Sequence, residues 1–146
     1  MKQATLLRKD LKSKLRNRET LFGGWISYAN SSIAETFGCA GFDFIAIDME
    51  HSTISLEQAQ RIIAASQSKG VPCLPRPVSH SNDLIKPILE SGADGLIIKM
   101  VNTPDELARL CGHIKYKNEG NRRFGVKREK NYGLKLDDYV KEWNDD

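Results

Sequence analysis

The sequence has no apolar run near the roughly 20 residues a membrane-spanning helix needs. Residues 1–19, MKQATLLRKDLKSKLRNRE, contain no continuous apolar stretch of the kind a secretory signal carries. A cytoplasmic location and no membrane partner are therefore expected. Neither GxGxxG nor GxxxxGK follows any candidate strand, so dinucleotide and P-loop binding find no support. Cysteine is scarce. Cys39, Cys73 and Cys111 are odd in number, far apart and without zinc or redox spacing. They read as small buried apolar residues in a reducing compartment. None is placed as a nucleophile.

The net charge of +3 hides a segregation. Residues 1–19 hold seven Lys/Arg against two acids, residues 20–114 six against ten, and the rest nine against seven. A basic N-terminal helix could touch nucleic acid, but no aromatic is interleaved in it, so it reads as a solvated face with no nucleic-acid partner.

What is present is one soluble globular domain's worth of chain, 146 residues, 40% hydrophobic and 28% charged. Its organising stretch is residues 42–51, FDFIAIDMEH. A buried strand there would deliver Asp48, Glu50 and His51 together to its carboxyl end. Before it, Leu6, Leu7, Leu11 and Leu15 predict an amphipathic helix over residues 3–17. Residues 21–26 (LFGGWI) predict a short strand, and Ser31 or Ser32 the cap of a short helix through Phe37.

After His51, Ser55 and Gln58 have capping-box spacing, opening a helix to about Ser68 that Lys69 and Gly70 close. Residues 71–76 (VPCLPR) predict a third strand, weakened by Pro72 and Pro75. A helix follows to Glu90, with Pro87 kinking it or lying in its first turn. Residues 95–101 (GLIIKMV) predict a fourth strand. Thr103, Pro104 and Glu106 open another helix. Residues 117–146 read as an irregular tail with a short helix around Tyr139 and Trp143. The regular alternation of strand and helix predicts a parallel α/β fold, either a small open sheet or about four strands of a TIM-type barrel. Asp48, Glu50, His51, Arg76 and Lys99 then fall at or near the strands' carboxyl ends, where such folds build sites.

In order along the chain, GGWIS, GFDFIAIDMEH, PRP and ILESGADGLIIKMVNTPDE resemble the N-terminal half of the HpcH/HpaI aldolase family. These are metal-dependent pyruvate aldolases of the phosphoenolpyruvate/pyruvate TIM-barrel superfamily. The resemblance implies cleavage of a 4-hydroxy-2-oxo acid to pyruvate and an aldehyde, with a divalent cation (Mg, Mn, Co or Zn) polarising the keto oxygen. It implies that Arg76 and Trp25 bind substrate and that His51 handles the proton through a water. Asp48 would lie beside the metal and bond its waters, and Glu50 would be a supporting carboxylate.

The departures are part of the expectation. Glu90 stands where the family has an Asp that pairs with the active-site His. Glu90 lies at the far end of its own barrel, so a His51 it reached would belong to a neighbouring subunit. Lys99 stands where the family generally has Pro. The family's metal ligands come from strands of the second half, so no metal ligand is expected within this chain. The implied partners are a small 2-oxo acid and either further copies or a complementary second half. The alternative is a non-catalytic half-barrel remnant that binds a small acid or serves assembly.

Overall fold

The computed structural model describes residues 2–117, 119–123, 125–134 and 136–145, with the backbone alone at 2–5, 131, 136–138 and 145. The elements are α1 (Lys2–Arg16), β1 (Gly23–Ile26), α2 (Ser31–Cys39), β2 (Phe44–Asp48), α3 (Leu56–Ser68), β3 (Cys73–Arg76), α4 (Asn82–Glu90) and α5 (Pro104–Ile114). Helix and strand alternate as expected up to α4, after which α5 follows with no strand between them. A 3-10 helix (Arg128–Gly133) and α6 (Leu136–Asp145) complete the order. The strands pair in parallel in the order β1-β2-β3.

The helix starts follow local chemistry. The capping boxes Ser55–Gln58 and Thr103–Glu106 both form, and Pro104 takes the first helical turn, where a missing N–H costs nothing. The cap of α2 is Asn30, whose side chain accepts the Ser32 N–H at 2.9 Å, rather than Ser31 or Ser32. Pro87 lies inside α4, where it leaves the Asp83 carbonyl without its helical donor.

Alternation along the strands separates two faces of the sheet. Ile26, Ile45, Ile47 and Cys73 point to α2 and α3 and join Ala34, Ala59, Ile62 and Ile63 in the main core. Trp25, Phe44, Ala46, Asp48, Leu74 and Arg76 therefore occupy the opposite, concave face. A cavity of about 320 Å³ lies where α1 meets this face, lined by Leu11, Leu15, Leu74, Leu96, Ile114 and Trp143 among others.

The predicted fourth strand does not form. Segment 94–98 runs beside β3 and donates from Asp94 N to Cys73 O and from Ile97 N to Pro75 O, both at 3.0 Å. Three residues thus step against two. The physical reason lies in β3 itself. On that edge its N–H donors would be those of Cys73 and residue 75; the first is taken by the Asp94 side chain at 2.9 Å, and Pro75 has none. The edge accepts but cannot donate, so no reciprocal ladder can extend.

Three further expectations change. The leucine stripe of α1 is only partly buried, since Leu11 is inside while Leu6 and Leu15 are exposed. Arg8 anchors that helix instead, its guanidinium 4.8 Å from the Trp143 ring and 5.6 Å from Tyr139. Only Cys73 is buried; Cys39 and Cys111 are exposed free thiols.

The tail, whose residues 118, 124, 135 and 146 lie outside the described set, holds a second core. Tyr116, Tyr139 and Trp143 pack with Ile85, Leu89 and Leu110. Among them lies a fully buried ionic cluster, with Glu129 bonded to both Arg122 and Lys130. The rings stack against the cations, with Arg122 4.6 Å from Tyr116 and Lys130 5.1 Å from the same ring.

Breaking a buried pair leaves an uncompensated charge, so Glu129→Ala should lower the unfolding free energy by about 3–5 kcal/mol. Urea titration checks this. A loss below about 1 kcal/mol would mark the cluster as solvated.

Candidate active site

The site begins with register. Asp48 is the last residue of β2 and lies opposite Arg76, the last residue of β3; Trp25 on β1 pairs one step back with Ala46. All three side chains share the concave face at the carboxyl ends of the strands, because the strands are parallel and the positions match in period.

Asp48 ties the three strands together. Its Oδ1 accepts the backbone N–H of Glu50 and of His51, each at 3.0 Å, and Arg76 Nε at 3.3 Å. Its Oδ2 accepts Arg76 Nη2 at 2.8 Å and Trp25 Nε1 at 3.4 Å. The Ser52 hydroxyl donates to the Asp48 carbonyl, closing the turn. Burial pushes the Asp48 carboxyl upward, but the His51 N–H, the Arg76 guanidinium, the Glu50 N–H and the Trp25 indole outweigh it and hold it at about 2. The Arg76 guanidinium also lies 4.9 Å from the Trp25 ring.

Glu50 is the second junction. Lys99 Nζ bonds Oε1, Arg76 Nε lies 3.4 Å from Oε2, and His51 Nε2 lies 3.5 Å from Oε1. The Lys99 bond is the main cause of the Glu50 carboxyl titrating below its usual range. With the imidazole neutral, two carboxylates and two cations balance. His51 projects outward, its side chain 70% exposed. Among the described residues nothing bonds Arg76 Nη1, so one edge of the guanidinium remains open to an incoming carboxylate.

Of the residues expected here, Asp48, Glu50, His51, Arg76 and Trp25 come together. Glu90 does not. It ends α4, which runs from the carboxyl-end rim back toward the opposite end of the sheet. There its Oε1 is buried without a hydrogen-bond partner among the described residues, 3.9 Å from Lys86 Nζ. The strand-end pattern had grouped Lys99 with Asp48, Glu50, His51 and Arg76 without assigning it a role, and the structure joins it to the cluster through Glu50. His80, unmarked in the sequence, has Nε2 2.7 Å from the Lys99 carbonyl oxygen.

A resident divalent cation does not fit these side chains as they stand. No group of three or more His, Cys, Asp or Glu side chains among the described residues could hold one, and the oxygens of Asp48 and Glu50 are taken by protein donors.

Parallel βα units with a charged cluster at the carboxyl ends of the strands define a TIM-barrel-like α/β protein. The chain belongs to the HpcH/HpaI aldolase/citrate lyase family, whose profile matches residues 21–142. It is 37% identical over 131 residues to a hydroxypyruvate/pyruvate aldolase of Roseobacter denitrificans, covering 88% of this chain and 50% of that protein. It is 32% identical over 142 residues to a 2-keto-3-deoxy-L-rhamnonate aldolase of Shigella sonnei, covering 96% and 53%. Among solved structures, an HpcH/HpaI aldolase/citrate lyase family protein from Burkholderia cenocepacia superposes with a TM-score of 0.84 at 28% identity, over 93% of this chain and 56% of that one. The chain spans about half the length of these relatives. None of the described helices is long and apolar enough to cross a membrane.

The Asp48 carboxyl titrates near 3.8 when unperturbed and at about 2 in the fold, so on acidification the unfolded chain takes up its proton first. The stability this group contributes is present above the unfolded value and should be lost from about pH 4 down to about pH 2. Urea midpoints measured across that range should fall for the wild type, and Asp48→Asn should flatten this part of the profile.

Proposed function

We propose that this chain supplies the pyruvate-binding part of a metal-dependent aldolase that cleaves a 4-hydroxy-2-oxo acid to pyruvate and an aldehyde. The observation that carries the reading is the open Nη1 edge of Arg76, held in place by Asp48 and backed by Trp25 at a strand-end rim. A carboxylate of the 2-oxo acid bonds that edge, and Trp25 forms one wall. Cleavage of the C3–C4 bond leaves an enolate at C3, with the C4 hydroxyl proton leaving as the aldehyde forms. His51, exposed beside Glu50, takes that proton through a water and returns it to C3 of the enolate, which gives pyruvate. Asp48 acts by fixing Arg76 and the His51 turn.

Divalent metal dependence belongs to this reading, with ligands from outside the described side chains. So does a cytoplasmic location. The reading includes a complementary βα half covering the concave face. The cavity beside Leu74 and Leu96 supports this, as does the doubled length of the relatives. Glu90 acts in this scheme only toward a His51 of another copy.

A second reading, a non-catalytic half-barrel that binds a small acid, is favoured by one observation. Both carboxylates of the cluster are already engaged by protein donors.

Titrating pyruvate into the chain, followed by amide NMR shifts, tests the anchor. Arg76→Met should weaken binding about tenfold or more, the scale of a lost charge-assisted pair. Equal binding by wild type and variant would remove the proposal. Assaying pyruvate release from a 4-hydroxy-2-oxo acid by the chain assembled with a complementary βα half, with and without Mn²⁺, separates the two readings. The lyase reading expects metal-stimulated release that His51→Gln abolishes while pyruvate still binds. Binding without any release selects the second reading.

A further inference from the structure

We infer that Lys99 is a positioning residue that keeps Arg76 open for its ligand by holding the Glu50 carboxylate. The inference rests on the proposed role of Arg76 as a 2-oxo acid anchor.

Glu50 is a nearly buried carboxylate with three cationic or potentially cationic neighbours. Lys99 takes Oε1 in a close hydrogen bond, while Arg76 Nε stands off at 3.4 Å and His51 Nε2 at 3.5 Å. An ionised carboxylate with little access to water moves toward the strongest donor within reach. With Lys99 present that donor is the ammonium. Without it, the nearest permanent cation is Arg76, whose Nε and Nη2 already serve Asp48. Released from Lys99, Glu50 would close on Arg76 from the Nε side, where its Oε2 already lies at 3.4 Å, compete there with Asp48 and turn the Nη1 edge away from an incoming carboxylate. Lys99 thus acts on the ligand through Glu50.

The backbone supports this aim. His80 Nε2 lies 2.7 Å from the Lys99 carbonyl oxygen, and the next residue, Met100, has a φ of +48°, a left-handed conformation uncommon outside glycine. Lys99 is therefore presented toward Glu50 from a segment held at its own carbonyl, across 49 positions of sequence.

The experiment is a pyruvate titration of the full chain by calorimetry, with amide NMR spectra reporting the fold of each variant. Lys99→Met should weaken pyruvate binding about tenfold, and Lys99→Arg should stay within about threefold of wild type. Adding Glu50→Gln to Lys99→Met removes the competing charge and should restore binding to within about threefold, a non-additivity expected only of coupled neighbours. If Lys99→Met spectra show loss of fold, Lys99→Gln takes its place in the cycle. Unchanged binding in Lys99→Met overturns the inference. So does a double variant as weak as the single one, because Lys99 would then contact the ligand directly. Absence of pyruvate binding in the wild type removes the anchor role of Arg76 and this inference with it.

Discussion

The Asp48 carboxylate is the constraint on which the rest of the rim depends. It is nearly buried, and five donors converge on it from β1, β3 and the turn that follows β2. Each contact would be modest alone, because an intramolecular hydrogen bond replaces one to water. Their concentration on one ionised group changes the balance. Removing Asp48 would leave the Arg76 guanidinium, only 20% exposed, short of the acceptor that balances its charge. The same carboxylate therefore fixes the side chain of Arg76, the indole of Trp25 and the path of the chain through Glu50 and His51.

Prolines set the second limit. Pro75 and the diverted N–H of Cys73 leave β3 with an edge that accepts hydrogen bonds but offers none. Segment 94–98 lies alongside without a ladder, held by two bonds and by the side chain of Asp94. Burial pushes the Asp94 carboxyl upward despite the donors from Cys73 and Gln67. The rim position of Lys99 is thus set by the contacts of this segment, by His80 and by Glu50. This is why Lys99 can lie close to Glu50 while standing outside any strand.

Local signals were legible in the sequence and long-range ones were not. Thr103, Pro104 and Glu106 specify a helix start through contacts within four residues, and the structure shows that start. The apolar run ending at Asp48 announced a buried strand, and its carboxyl end carries the cluster. The absent fourth strand could not be read from residues 95–101, whose composition suits a strand. The obstacle is the donor deficit of a different segment. Arg8 illustrates the same gap. Its position on α1 predicts a solvated charge, yet the aromatic rings that bury it arrive from Tyr139 and Trp143, far along the chain. The family resemblance, carried by motifs in register, reached further than periodicity could. Even so, it marked Lys99 only as a difference.

The charge balance of the rim bears on what it can receive. Asp48 and Glu50 offset Arg76 and Lys99, and both carboxyls are held below their ordinary range. They stay ionised near neutrality, so their charges cannot be relieved by taking up a proton. A monoanionic acid arriving at Arg76 leaves the rim one charge negative unless a protonated imidazole or a further cation compensates. His51 is the most exposed of the five, its side chain 70% open to solvent. A rim of fixed, mutually paired charges can take up an anion at Arg76 without changing the ionisation of Asp48 or Glu50.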